Sequence, residues 1–159
     1  MDVISPVPRE ARPFQGQRAG LVTRLIANTV DALTVSVALL ALHLGINAML
    51  FLVSPRDYEF ATASVLLSVI TALLVTVVYM AVAWSITGRT YGDHVMGLRV
   101  VGRRGDRVWP PTALVRAALC VGFPIGLLWC GVSASRRSVQ DVVLRTAVIY
   151  DWRPRRARP

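Results

Sequence analysis

The chain has 159 residues, 54% of them hydrophobic, and a formal net charge of +9. That length suits one domain, and the apolar share exceeds the roughly 45–50% usual in soluble domains. Three stretches without an acidic or basic side chain other than histidine, 32–53, 60–88 and 117–135, are each long enough to cross about 30 Å of hydrocarbon, which argues against a soluble enzyme and for a membrane protein.

The basic residues are all arginine, which reads as the mark of a GC-rich genome. They gather in the termini and after Gly88, outside the apolar stretches, as the cytoplasmic flanks of membrane helices do. The positive charge is thereby accounted for without nucleic acid.

Residues 1–19 contain Pro6, Pro8 and Pro13 and no apolar periodicity, so they predict a disordered cytoplasmic tail with no cleavable signal. A first helix is expected from Leu21 through Arg24, Asn28 and Asp31 to at least Leu44, continuing straight or bent at Gly45 towards Val53. The following loop, Ser54 to Glu59, holds Arg56 against Asp57 and Glu59, whereas Arg9, Arg12 and Arg18 precede the helix. The positive-inside rule then puts the tail in the cytoplasm and the loop outside. A second helix from about Ala61 to Ile86 returns the chain to Arg89, Arg99, Arg103, Arg104 and Arg107. Gly97 to Val101 alternates and runs into a turn-rich segment, which predicts a short strand. Thr146 to Tyr150, short and rich in β-branched residues, is a second strand able to pair with it.

The third apolar stretch has Phe123-Pro124-Ile125-Gly126 near its middle, and a simple span would strand Arg136, Arg137, Arg145 and the C-terminal arginines on the outer side. A re-entrant or broken helical hairpin within 113–135 is therefore favoured over a full span, buried in protein or used for self-association. The expected fold is an all-α membrane protein: two transmembrane helices plus a third, Pro/Gly-broken hydrophobic hairpin or span, with a short cytoplasmic β-hairpin-like element. The membrane domain covers 20–150, and 151–159 is a basic C-terminal tail.

Arg24 and Asp31 lie about two turns apart on one helical stripe, roughly 10 Å, with Asn28 between them. A carboxylate in the bilayer costs about 2.5–3.5 kcal/mol on insertion scales, so Asp31 must face a partner or water, either as an ion-paired clamp or on a ligand pathway. Ser64, Ser68, Thr71 and Tyr79 form a hydroxyl stripe on helix two, as interhelical hydrogen-bond glue or a polar path. His43 and Asn47 suit an interfacial structural role. Cys120 and Cys130 lack metal-ligand spacing and read as small packing residues, and no metal or cofactor is expected. Asp106 and Asp151 read as solvated.

Arg24-Leu25-Ile26-Ala27 with Val30-Asp31, the glycine-rich Gly88-Arg89-Thr90-Tyr91-Gly92 continuing to Met96-Gly97-Leu98-Arg99-Val100, Arg116, and Ser138-Val139-Gln140-Asp141 with Thr146-Ala147-Val148 resemble the RDD family of small bacterial membrane proteins. The resemblance covers about Gly20 to Tyr150. It implies that Arg24, Asp31 and Asp141 are the arginine and two aspartates for which the family is named, with Arg116 opening the third hydrophobic element. Asp93-His94 and Leu144-Arg145 depart from the pattern, which weighs against anion binding by that loop. The resemblance also implies a membrane component or transport role, and actinobacterial relatives lie beside lipid-import systems of the mammalian-cell-entry type.

Phosphate loops, serine elbows, paired histidines and CxxC motifs are absent from the sequence, so no enzyme chemistry is expected. The expected function is an accessory or scaffolding subunit of a bacterial inner-membrane assembly, such as a lipid-transport system. The alternative is a homo-oligomeric transporter of a cation or small ligand using Asp31. The expected partners are the bilayer and other membrane subunits or further copies of the chain. A final expectation is that Arg24 and Asp141 meet at the cytoplasmic boundary while Asp31 accepts from Asn28 or a neighbouring hydroxyl.

Overall fold

The computed structural model describes residues 13–102, 105–133 and 137–152. Two long helices dominate, α1 (Leu21–Val53) and α2 (Val65–Ile86), and both are long and apolar enough to cross a membrane. Helix α1 runs unbroken through Gly45, where nothing crowds the backbone. Helix α2 starts later than expected because Ser64 caps it, its Oγ accepting from Leu67 N at 3.2 Å. The backbone before that cap is committed to α1, Ala61 N donating to Asn47 Oδ1 at 2.8 Å.

After α2 the chain makes a short helix α3 (Tyr91–Val95) and strand β1 (Leu98–Val101), then α4 (Pro110–Gly122) and α5 (Ile125–Val132), then α6 (Val139–Val143) and strand β2 (Ala147–Tyr150). Proline at the first positions of α4 costs no hydrogen bond there, and Pro124 at the α4–α5 junction ends the first helix. The two pieces meet at 94°, a right-angled break within the expected Pro/Gly-broken element. Gln140 ties the break to α6: its Nε2 donates to Phe123 O at 2.9 Å and Leu119 O at 3.4 Å, each of which also accepts a backbone N–H.

Strands β1 and β2 pair antiparallel with Val100 opposite Val148. They are joined through three helices, so they form a strand pair without a tight hairpin turn. The expected disordered tail is corrected over its last residues: Gly16 N donates to Tyr150 O, Tyr150 N to Gln17 O and Ala19 N to Val148 O, all within 2.8–2.9 Å, so 16–19 lines the free edge of β2. Residues 1–12 of that tail, and 153–159 of the C-terminal one, lie outside the described residues.

The core sits at this end of the molecule, where Ala27, Met80, Trp84, Leu98, Ala113 and Val148 pack together. Each large apolar side chain fully buried there contributes about 1.5–3 kcal/mol. Beyond it the two long helices are largely bare, apart from Val35 and from Asn47 where the α1–α2 loop folds back. The buried residues of α2 are Met80, Ala81 and Trp84, all in its last turns, while Val65 and Leu66 at its start are 80% and 71% exposed. Such a surface is stable only in hydrocarbon or against another apolar surface.

Candidate functional site: two buried carboxylate clusters

The first cluster forms around Asp31, 1% exposed on α1. Its Oδ1 accepts from Tyr79 Oη at 2.9 Å and Gly92 N at 2.7 Å, and its Oδ2 from Thr90 Oγ1 at 2.5 Å. Every donor is neutral, so the carboxylate is hydrogen-bonded without a counter-charge. Tyr79 Oη also accepts from Tyr91 N at 2.8 Å, which ties α2 to α3. Gly92 permits the approach: a Cβ there would lie 2.0 Å from Ala27 O, so no residue with a side chain lets α3 sit this close to α1.

The second cluster forms around Asp141, 0% exposed on α6. Arg24 Nη1 donates to its Oδ2, and Arg116 Nη1 to its Oδ1 at 2.6 Å and also to Thr146 Oγ1. Burial alone would raise the Asp141 carboxyl, but the Arg116 and Arg24 guanidiniums outweigh it and hold the group down at about 2. Arg24 and Arg116 are themselves only 4% and 3% exposed, so the carboxylate and both its partners are enclosed. Arg116 also lies over the Trp84 ring, 5.1 Å from its centroid, and Trp84 Nε1 donates to Asp93 Oδ2 at 2.8 Å. A continuous chain of contacts thus runs from Arg24 through Asp141, Arg116 and Trp84 to Asp93.

Asp93 and Asp141 hold equivalent local positions. Each is the third residue of its short helix and closes a capping box, with Thr90 and Ser138 as the N-caps. By sequence Asp93 is a departure from the family pattern, Thr90 is part of a family motif without a site role, and Trp84 carries no signal. A findable signal was present in the repeated Thr/Ser-x-x-Asp spacing ahead of each strand.

The expected Arg24–Asp141 contact is present, and Asp31 accepts from hydroxyls. Asn28 gives Asp31 no hydrogen bond; it is half-buried beside a groove shared with Cys120, Pro124 and Gln140. The hydroxyl stripe on α2 is corrected: Ser64, Ser68 and Thr71 are exposed on the outer part of the helix, and Tyr79 alone of the four reaches the cluster. Asp151 is corrected too, since it pairs with Arg89 at 2.8 Å and Arg99 at 3.3 Å and is held close to the sheet. At the far end of α1, buried Asn47 gathers the α1–α2 loop, accepting from Ala61 N and from Tyr58 Oη at 3.1 Å.

About 16 positions separate Asp31 from Asn47, or roughly 24 Å of helical rise. A hydrocarbon layer of about 30 Å centred on that stretch has Asp31 near one edge, where a hydrogen-bonded carboxylate costs far less than at the midplane.

Two apolar helices crossing a bilayer, closed at one end by enclosed carboxylates and a small sheet, define a multi-pass membrane protein with its polar structure gathered at one boundary. The RDD family model matches residues 18–145, and the chain belongs to that family. No curated protein and no solved structure matches it.

Proposed function

We propose that this chain is an accessory or scaffolding subunit of a larger bacterial inner-membrane assembly, with both termini in the cytoplasm. The observation that carries the reading is how its charges are used. Asp31 and Asp141 are enclosed and their bonds join α1 to α2, α3, α4 and α6, which is the geometry of a clamp. Two long helices that touch the rest of the fold at one end do not enclose a pathway between them, and they leave long apolar faces for neighbouring helices. An assembly that moves lipid is the kind the family resemblance suggests.

Purification of the full chain in a mild detergent tests this. Stoichiometric foreign membrane subunits support it, and a lone homo-oligomer overturns it. A second reading, a homo-oligomeric transporter of a cation or small ligand, has one observation in its favour: the donors around Asp31 are all neutral, so its charge is open to neutralisation by a proton or metal cation. Under that reading Asp31→Asn abolishes uptake in reconstituted vesicles while the purified oligomer stays intact.

A further inference from the structure

A cavity of about 640 Å³ opens beside β2, away from the residues of both carboxylate clusters except Thr146. Among the described residues, Arg18, Arg137 and Arg145 line it together with Gly102 and Gly105, and none of the lining residues is acidic. Like charges brought together around one space repel, so their convergence calls for an anion or for ion pairs that disperse them. Among the described residues no ion pair engages Arg137 or Arg145.

Two further observations concern these two arginines. Arg137 Nε is shielded from solvent and has no hydrogen-bond acceptor among the described residues. Arg145 is held at φ 53°, the left-handed region, whereas the matching turn ahead of β1 has Gly97 at φ 64°. Glycine meets that backbone without steric cost and arginine does not, so the turn carries strain at a residue facing the cavity.

We propose that this cavity binds a phosphate-bearing anion, gripped by the Arg137 and Arg145 guanidiniums with Arg18 on the adjoining wall. The planar fork of arginine matches two phosphate oxygens at once. Arg18 lies just before α1, so the cavity sits at the polar end of a membrane span, the level at which lipid headgroups lie. A phospholipid headgroup and a free phosphate share the required chemistry. The proposal stands apart from the subunit reading and survives its failure.

The test titrates the full chain in a neutral detergent with phosphatidic acid, with phosphatidylcholine at the same mole fraction, and with inorganic phosphate. Saturable binding of phosphatidic acid without phosphatidylcholine supports the site. Competition by inorganic phosphate then marks a soluble ligand, and no competition marks a lipid headgroup. Arg145→Gly relieves the backbone while removing the charge, so it should melt no lower than the wild type yet bind phosphatidic acid about tenfold more weakly. Arg137→Gln should weaken binding similarly, and Arg107→Gln, exposed and outside the cavity, should not. Failure of the wild type to bind either phosphate ligand saturably, or unchanged affinity in both Arg145→Gly and Arg137→Gln, overturns the proposal.

Discussion

Asp141 answers to two arginines, and that asymmetry sets the order in which its cluster fails. Asp141→Ala strands both Arg24 and Arg116 in an enclosed space, whereas Arg24→Ala leaves Arg116 still paired. Breaking a buried pair from one side typically costs ~3–5 kcal/mol, so Asp141→Ala should lose at least that much and Arg24→Ala roughly half. The double variant should lose clearly less than the sum, read from denaturant titration in detergent; additive losses would mean that the two side chains do not interact. Acid should probe the same contact. The Asp141 carboxyl titrates at about 2 in the folded chain and near 3.9 unfolded, so its contribution is complete above about pH 5 and drains away as pH falls through 4 towards 2. A melting profile over that range should slope in the wild type and lose the Asp141 part of the slope in Asp141→Asn. Equal slopes would show that Asp141 is not the group responsible.

Among the elements, α3 is the one most tightly specified by a single position. Gly92→Ala places a methyl against Ala27 O and the Asp31 carboxylate, so it should push α3 off α1 and break the Gly92 N–H bond to Asp31. A loss of at least ~2–3 kcal/mol is expected, whereas Gly45→Ala, in open space within α1, should gain about 0.5–1 kcal/mol. Thermal melting of the two variants checks both signs, and a Gly92→Ala chain as stable as the wild type would refute the close packing. The contrast also shows what the sequence made legible. Charge-free length announced α1 and α2, and Pro124 with Gly126 announced the break after α4, because these are local properties of a run of residues. The strand pair could be guessed from β-branched residues alone. What escaped the reading were contacts made across the fold: the seating of 16–19 on β2, the use of Trp84 and Thr90, and the irrelevance of Ser68 and Thr71 to the cluster. A helical stripe says which residues share a face and not where along the helix its neighbours stop, and α2 has protein around only its last turns.

For the molecule as a whole, the sheet constrains topology. Residues 16–19 and β1 are both hydrogen-bonded to β2, so the chain before α1, after α2 and after α5 is expected on the same face of the bilayer. On that expectation the bent pair α4–α5 enters and leaves on one side. Reporters at the two ends of the full chain should read the same compartment, with a tag in the 54–59 loop reading the other; opposite readings at the two ends would restore a third crossing. The same sheet relates two halves of the fold. Thr90 to Val101 and Ser138 to Ile149 repeat one succession of capped acid, left-handed turn and strand, with the Val100–Val148 pair midway between them. Because β2 follows every other described element, its bonds to residues 16–19 and the contact of Arg24 with Asp141 form only once those elements have been made. Until then α1 lacks the contact with Asp141, and residues 16–19 lack their strand partner. A chain cut before residue 141 therefore keeps both long helices but has nothing to close them with at the polar end.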